Sequence, residues 1–531
     1  MKQNIFQSWC DKWPVIKSTK PLATGDGVVD QAGLNTIETD KLFDTINKAG
    51  TIAGQSVLYR SLMNPSASLD EINAKQQALR EIQGNQAIRD NLENIIARSV
   101  EKEQALYLLL FGEFLGSMGT AREDQQIEGY GYRQYRRAVR FMVDLCGQVY
   151  SSEIPESPYL KTIFEKINTF SESRVFSLMQ GPVYNTEKGF KTKQQRKGSF
   201  VPATIFVPRI FKPLLITLVL ASVWLLTQVI SFSIPGLSFG GGTMSGILLA
   251  PAALVYFPFI GSYDRDNCII PLREEFKQSE ELGDALDALG QLDELLSFIK
   301  FSEKYGSHMV LPTMSEGKHH SIDLLNAMNP VLGMENEAYV GNDFTLAEEK
   351  LVFVTGPNSG GKTAFCKTVT QIQLLAQVGC FVPAQAASLT VADKIFYQAP
   401  EISHLDDGEG RFGTELKRTK DIFLASTAKS LIVLDELSEG TTFEEKMESS
   451  ANVLDGFYRK GNSTILITHN HQLVDLFIDK AEGVAKQVEF ANELPTYKLV
   501  DGISRVSHAD RVAKKIGFSK EDIDNYLAND K

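Results

Sequence analysis

The spacing of apolar positions divides the chain into regions of different period. Between about residues 34 and 170 apolar side chains recur three and four apart, as in Leu42, Phe43 and Ile46 or Leu92, Ile95 and Ile96. That spacing gathers them on one face of successive helices and predicts a mostly helical region. Asn64-Pro65 stops one helix and Ser68-Leu-Asp-Glu71 caps the next. Residues 270–305 resume the helical period, with many acidic positions. From about 320 to 500, short apolar runs alternate with helical patterns, which predicts an α/β layer on a parallel sheet. Residues 1–30 show no period and read as a loose lead-in, with Trp9 and Trp13 packed on the core. Residues 503–531 read as a small helical tail.

The middle of the chain follows neither period. Leu214 to Phe232 runs without a charge for about nineteen residues, roughly 28 Å as a helix and close to the hydrocarbon thickness of a bilayer. A second uncharged run, Met244 to Gly261, follows the glycine-rich stretch Pro235–Gly242 and contains Pro251 and Pro258. Basic residues flank the pair on both sides (Lys188, Lys191, Lys193, Arg196, Lys197, Arg209 and Lys212; Arg265, Arg273 and Lys277), while the connection between the runs is uncharged. The expectation is a transmembrane hairpin with both outer flanks cytosolic. Two buried helices, or a re-entrant second run, are the alternatives. Lys188 to Ser199 then reads as a membrane-proximal loop.

Bulk composition narrows the functional classes. The 531 residues suffice for two to four domains. A net charge of −12 provides no global basic field for non-specific nucleic-acid binding, though a local patch stays open. Tyr130 to Arg140 alternates aromatics with Arg133, Arg136, Arg137 and Arg140; it reads as a solvated helix face, with contact to nucleic-acid or lipid phosphates as the alternative. The five scattered cysteines have no C-x-x-C spacing, which argues against disulfides and zinc and for a reducing cytosol. His319-His320 lacks neighbouring ligand residues and reads as surface.

The chemistry is written between residues 351 and 469. Gly356-Pro-Asn-Ser-Gly-Gly-Lys362-Thr363 follows the apolar run Leu351–Thr355 and fits G-x-x-x-x-G-K-[ST]. In such a loop Gly356, Pro357, Asn358, Ser359, Gly360 and Gly361 curl the backbone so that N–H groups face phosphate oxygens. Lys362 reaches the terminal phosphates, and the Thr363 hydroxyl holds Mg²⁺. Ser430–Leu434 ends in Asp435, a hard oxygen partner for the metal, and Glu436, placed to activate a water. Ser463–Ile467 ends in Thr468-His469, whose imidazole is set to bond a γ-phosphate. Loop, acidic strand tip and histidine strand tip together imply hydrolysis of ATP or GTP with Mg²⁺.

Beyond these motifs, Thr355–Thr363 resembles the phosphate loop of MutS-type mismatch repair ATPases, TGPNMGGKS. Leu374–Ala384 is similar to the family's LAQIGSFVPA, Val391–Phe396 to VDRIFTR, Leu434–Thr441 to LDEIGRGT, Thr468-His469 to ATH, and Leu494–Val500 to its closing strand. Thr51–Leu58 through Met63-Asn-Pro65 and Ile72 resembles the start of the family's core domain, and Leu289–Leu295 through Tyr305 and Pro312 its returning lever helix. The resemblance implies that Tyr339, in Tyr339-Val-Gly-Asn-Asp343, stacks on adenine, that Asn358 lies near the phosphates, and that His469 is a switch histidine. Two departures stand out. Gly408–Leu416 lacks the signature loop's Ser-Thr pair, where Arg411 is a substitute contact to γ-phosphate, and Glu439 replaces a customary arginine.

These readings predict an α+β multidomain chain in which a helical core/lever domain carrying a transmembrane helical hairpin precedes an ABC-like α/β P-loop ATPase domain. The expected divisions are a lead-in (1–30), the helical core/lever (31–205), the hairpin (206–262, helices about 214–232 and 244–261), the returning lever helix (263–318), the ATPase (319–502) and a dimerisation tail (503–531). The expected function is a membrane-anchored ATPase, integral to the membrane and on its cytoplasmic side. It would homodimerise through its ATPase domains, meet the lipid bilayer through residues 214–261, and use ATP and Mg²⁺ to drive lever-helix motion. The chain begins near the family's core domain, so no mismatch-reading or connector domain is expected. The alternatives are a mismatch or branched-DNA binding protein of the MutS family, with DNA as a partner by resemblance, and an ABC-type transporter subunit, which two spans and the absence of an LSGGQ-like loop disfavour.

Overall fold

A computed structural model describes residues 24–116, 129–195, 203–233, 256, 258–306, 308–336, 338–357, 360–400, 410–437, 443–491, 494–505 and 516–529. These residues form two compact units. The described part of the first is Ala49–Val57 and Glu81–Leu296; that of the second is 24–48, Leu58–Arg80 and Ser297 onward.

The first unit is helical, as the period predicts. Helices Gln86–Val100, Glu103–Phe111, Tyr132–Ser151 (α1) and Pro158–Glu172 turn Leu92, Leu106, Phe141, Leu145 and Ile163 inward, each 2% exposed or less. In α1, Tyr132 and Tyr135 are buried while Arg133, Arg136, Arg137 and Arg140 are exposed. Helix Glu280–Tyr305 (α2) contributes its part up to Leu296 to this unit. There buried Asp293 accepts the Thr51 backbone N–H at 2.7 Å and the Thr51 hydroxyl at 2.6 Å. The approach needs glycine: a Cβ on Gly54 would lie 2.3 Å from Asp293 Oδ2, and one on Gly290 would lie 2.6 Å from the Ala53 carbonyl.

Three expectations for this part of the chain are corrected. Lys188 to Ser199, read as a membrane-proximal loop, instead begins inside a small antiparallel sheet of Val183–Thr186, Gly189–Lys191 and Thr204–Phe206; residues 196–199 of that segment lie outside the described residues. The transmembrane hairpin is not supported: among the described residues no helix is long and apolar enough to cross a membrane. The first expected span falls on helix Pro213–Ser233, and the second, about 244–261, lies mostly outside the described residues. The integral-membrane location and the bilayer as partner fall with it. The physical reason is that an uncharged run records only avoidance of charge, and apolar periodicity does not identify the surroundings of a helix.

The second unit is built on a six-stranded sheet of Leu351–Thr355 (β1), Ile395–Gln398 (β2), Leu431–Asp435 (β3), Ser463–Ile467 (β4), Val484–Ala491 (β5) and Leu494–Asp501 (β6), in the order β2-β3-β4-β1-β5-β6. All neighbours are parallel except β5 and β6. Strands β1 and β4 are buried along their whole length, which explains the apolar runs Leu351–Val354 and Ile465–Ile467 within them. Phe353, Ile432, Leu434, Leu466, Leu454 and Phe477 close one core against the flanking helices. A second sheet of Thr313–Ser315, Ala386–Thr390, Ile322–Ala327 and Asn342–Leu346 accompanies it.

The end of the supposed loose lead-in is ordered. Val29 bridges to Ile395 of β2, and Asp30 caps the helix Gln31–Thr36 by accepting the Gly33 N–H at 2.7 Å. Trp9 and Trp13 lie outside the described residues. His320, read as surface, is instead buried, with Nε2 3.3 Å from Gln373 Oε1 and its backbone N–H on the Ala428 carbonyl.

Candidate nucleotide site

The register of the sheet brings the motif residues to one edge. Val354 of β1 pairs with Ile467 of β4, and Asp435 of β3 also pairs with Ile467. Three strands therefore end at the same level, and the residues that follow them meet there: the glycine loop, Asp435-Glu436 and Thr468-His469. In a parallel α/β sheet this carboxyl edge is where ligands bind.

Strand β1 passes through Gly356 into helix Lys362–Gln377 (α3). Gly356 at φ 133° and Gly361 at φ 83° occupy backbone conformations that side chains oppose. The loop lies on Val488 of β5, which stands 3.0 Å from a Cβ placed on Gly360 and 3.3 Å from one placed on Gly356. Larger residues at those positions would lift the loop off the sheet. The Pro357 carbonyl accepts the Gly360 N–H at 3.0 Å and closes the turn. Asn358 and Ser359 lie outside the described residues.

Lys362, the first residue of α3, is buried, and its ammonium donates to the Gly356 carbonyl at 2.7 Å. Burial pulls its pKa below the usual lysine value, and the nearby carboxylates of Glu436 and Asp435 pull it back up. An ammonium folded onto its own loop is poised to exchange a carbonyl for a phosphate oxygen. Next to it the Thr363 hydroxyl donates to Asp435 Oδ2 at 3.0 Å. A hydroxyl and a carboxylate at that separation form a hard-oxygen pair suited to Mg²⁺, which prefers few protein ligands and keeps its waters.

Glu436 has φ 60°, left-handed backbone that is uncommon for a glutamate, and its N–H donates to the Ile467 carbonyl at 2.9 Å. Oε1 of Glu436 lies 3.6 Å from His469 Nε2, and Oε2 lies 4.0 Å from Lys446 Nζ. The first distance is within ion-pair reach of a protonated imidazole and too long for a direct hydrogen bond. The Glu436 side chain is 12% exposed and that of His469 47%, so the carboxylate is sheltered while the imidazole faces open space.

Beside the loop a cavity of about 350 Å³ is lined by Tyr339, Asn342, Gly360, Gly361, Phe365 and Tyr497, among others. Tyr339 is half-buried, and its hydroxyl is 3.4 Å from Thr368 of α3; burial raises its pKa. Tyr497 was not among the residues singled out from sequence. Its φ is 60°, its carbonyl accepts from Asn342 Nδ2 at 3.0 Å, and its ring lies 3.3 Å from a Cβ placed on Gly361. Lys446 and Val488 were missed as well; nothing local in the sequence sets a lysine in a helix or a valine in a strand apart from its neighbours. Arg411 lies in helix Gly410–Ala425, but its side chain is outside what the structure describes, as is Glu439.

Residues 352–528 match the family model of MutS domain V. The DNA mismatch repair protein MutS of Parabacteroides distasonis is 30% identical over 249 residues, which is 44% of this chain and 28% of the relative. MutS of Chlorobaculum tepidum is 32% identical over 256 residues, 47% of this chain and 29% of the relative. The DNA mismatch repair protein MSH3 of Phaeosphaeria nodorum is 32% identical over 247 residues, 44% of this chain and 22% of the relative. Each match thus spans less than a third of the relative's length.

Proposed function

We propose that this chain, for which the family model and the relatives support membership of the MutS family, binds and hydrolyses ATP and couples that cycle to DNA. The observation that carries the nucleotide half is the meeting of Lys362, Thr363, Asp435, Glu436 and His469 at adjacent strand ends. The DNA half is supported by the relatives, which are DNA mismatch repair proteins.

In this reading Lys362 leaves the Gly356 carbonyl and neutralises phosphate charge. The backbone N–H groups of the glycine loop hold the phosphate oxygens in place. Thr363 and Asp435 hold Mg²⁺, which supplies further neutralisation of the leaving phosphates. Glu436 orients a water and accepts its proton as the water attacks, and sheltering of the carboxylate favours that acceptance. His469, exposed beside it, meets the γ-phosphate. The adenine occupies the cavity of Tyr339. Two ATPase domains pair, and helix α2 carries the resulting motion as a lever.

Steady-state and single-turnover hydrolysis by the full chain tests this. Lys362→Ala should abolish nucleotide binding or turnover, and Glu436→Gln should retain ATP binding while hydrolysis slows by about 10²–10⁴-fold. Turnover retained in both variants would overturn the catalytic assignment. Duplex DNA, matched and mismatched, should change the ATPase rate of the native protein, and a rate indifferent to DNA would remove the DNA half.

A further inference from the structure

Helix α1 presents an arrangement that packing does not explain. Arg133, Arg136, Arg137 and Arg140 occupy positions i, i+3, i+4 and i+7, so all four stand on one side of the helix, and all four are exposed. The opposite side, with Tyr132, Tyr135, Ala138 and Val139, is buried, which fixes the direction in which the arginines point. Among the described residues none of the four side chains forms an ion pair or a hydrogen bond. The next outward acidic residue, Asp144, is 2.9 Å from Lys102.

The array opposes the stability of its own helix. Arg133–Arg137 and Arg136–Arg140 are like charges four apart, and no acidic residue occupies the first turn. Three of the four cations lie in the first two turns, where the helix dipole favours anions. In a chain of net charge −12, a stripe of one sign set against both effects calls for an external anion.

We infer that the outer face of α1, through Arg133, Arg136, Arg137 and Arg140, is a docking stripe for the phosphate backbone of duplex nucleic acid. This rests on the DNA-directed reading above and gives it a place on the molecule. The stripe is about 10 Å long, over which one strand of a duplex presents about three phosphates. Guanidinium groups match phosphate oxygens with paired N–H donors and stay charged at every relevant pH. The outward positions between the arginines and Asp144 include no large apolar anchor of the kind a protein partner uses. The stripe reads charge and shape, so it serves matched and mismatched duplex alike.

The test measures binding of a short labelled duplex to the full chain by fluorescence anisotropy, between about 50 and 200 mM salt. The double variant Arg136→Glu/Arg137→Glu should bind at least tenfold more weakly. Its dependence of log affinity on log salt should be shallower by about 2, roughly one for each arginine–phosphate pair removed. Its melting temperature should not fall, since glutamates suit the start of a helix, and its ATP hydrolysis without DNA should match the native rate. Lys318→Glu, an exposed charge change in the other unit, should leave affinity within about twofold of native, because the proposed stripe does not include that lysine. Equal duplex affinity in native and double variant sinks the stripe and leaves the DNA reading standing. A native protein that ignores duplex at the lower salt sinks both, with the ATPase reading untouched. Loss of polyglutamate binding with duplex binding intact would make the occupant an acidic protein and also overturn the proposal.

Discussion

The Thr363 hydroxyl donates to Asp435 Oδ2 across 3.0 Å, joining the start of α3 to the tip of β3 over 72 residues of sequence. The bond places the two oxygens side by side at the end of the buried sheet, where a metal ion would draw on both.

If these two residues share one Mg²⁺, either substitution should raise the metal requirement. Thr363→Val and Asp435→Asn are expected to shift the Mg²⁺ concentration for half-maximal ATP hydrolysis upward by about tenfold or more. Thr363→Ser keeps the hydroxyl and should stay near native. Titration of hydrolysis with Mg²⁺ at saturating ATP checks this, and a native midpoint in Thr363→Val would remove the threonine from the metal site.

Tyr339 and Tyr497 line the same cavity from distant parts of the sequence, so a base bound there has two aromatic side chains within its walls. Tyr497→Ala is expected to raise KM for ATP up to about tenfold with little change in kcat, because stacking binds ground state and transition state alike. Tyr497→Phe should be close to native, since the backbone carbonyl rather than the phenol holds Asn342. A fall in kcat with KM unchanged would argue that Tyr497 shapes the phosphate loop through Gly361 instead.

The nucleotide edge was legible in the sequence because it is coded locally. A buried strand, a glycine turn and a helix start are contiguous from Leu351 to Lys362, and the strand tips at Asp435 and His469 each carry their own apolar run. Interactions between distant residues were not legible. The Asp293 carboxylate on Thr51 joins positions 242 apart, and glycines at 54 and 290 matter only because the two helices touch there. Tyr497 is one aromatic in an edge strand until the fold sets it in the lining of the same cavity as Tyr339. The uncharged run from Leu214 misled because absence of charge is a property of a segment, while its surroundings are a property of the whole fold.

His320 shows what the sequence hid and gives a stability test. Burial lowers its pKa from the usual 6.5 to about 4, opposed by its bond to Gln373 and by the charge of Asp393. The folded protein therefore holds a neutral imidazole where the unfolded chain takes up a proton. Between pH 6.5 and 4 the unfolded state binds more protons, so the His320 contribution is complete above 6.5 and is lost as pH falls through that window. The loss is on the order of 3 kcal/mol. Urea unfolding of the native protein and of His320→Gln at several pH values checks this. The variant should begin less stable at pH 7, having lost a fitted ring, and should decline less steeply toward pH 4. Parallel curves for the two proteins would mean that the acid sensitivity of this region resides in other groups and that His320 is solvated when folded.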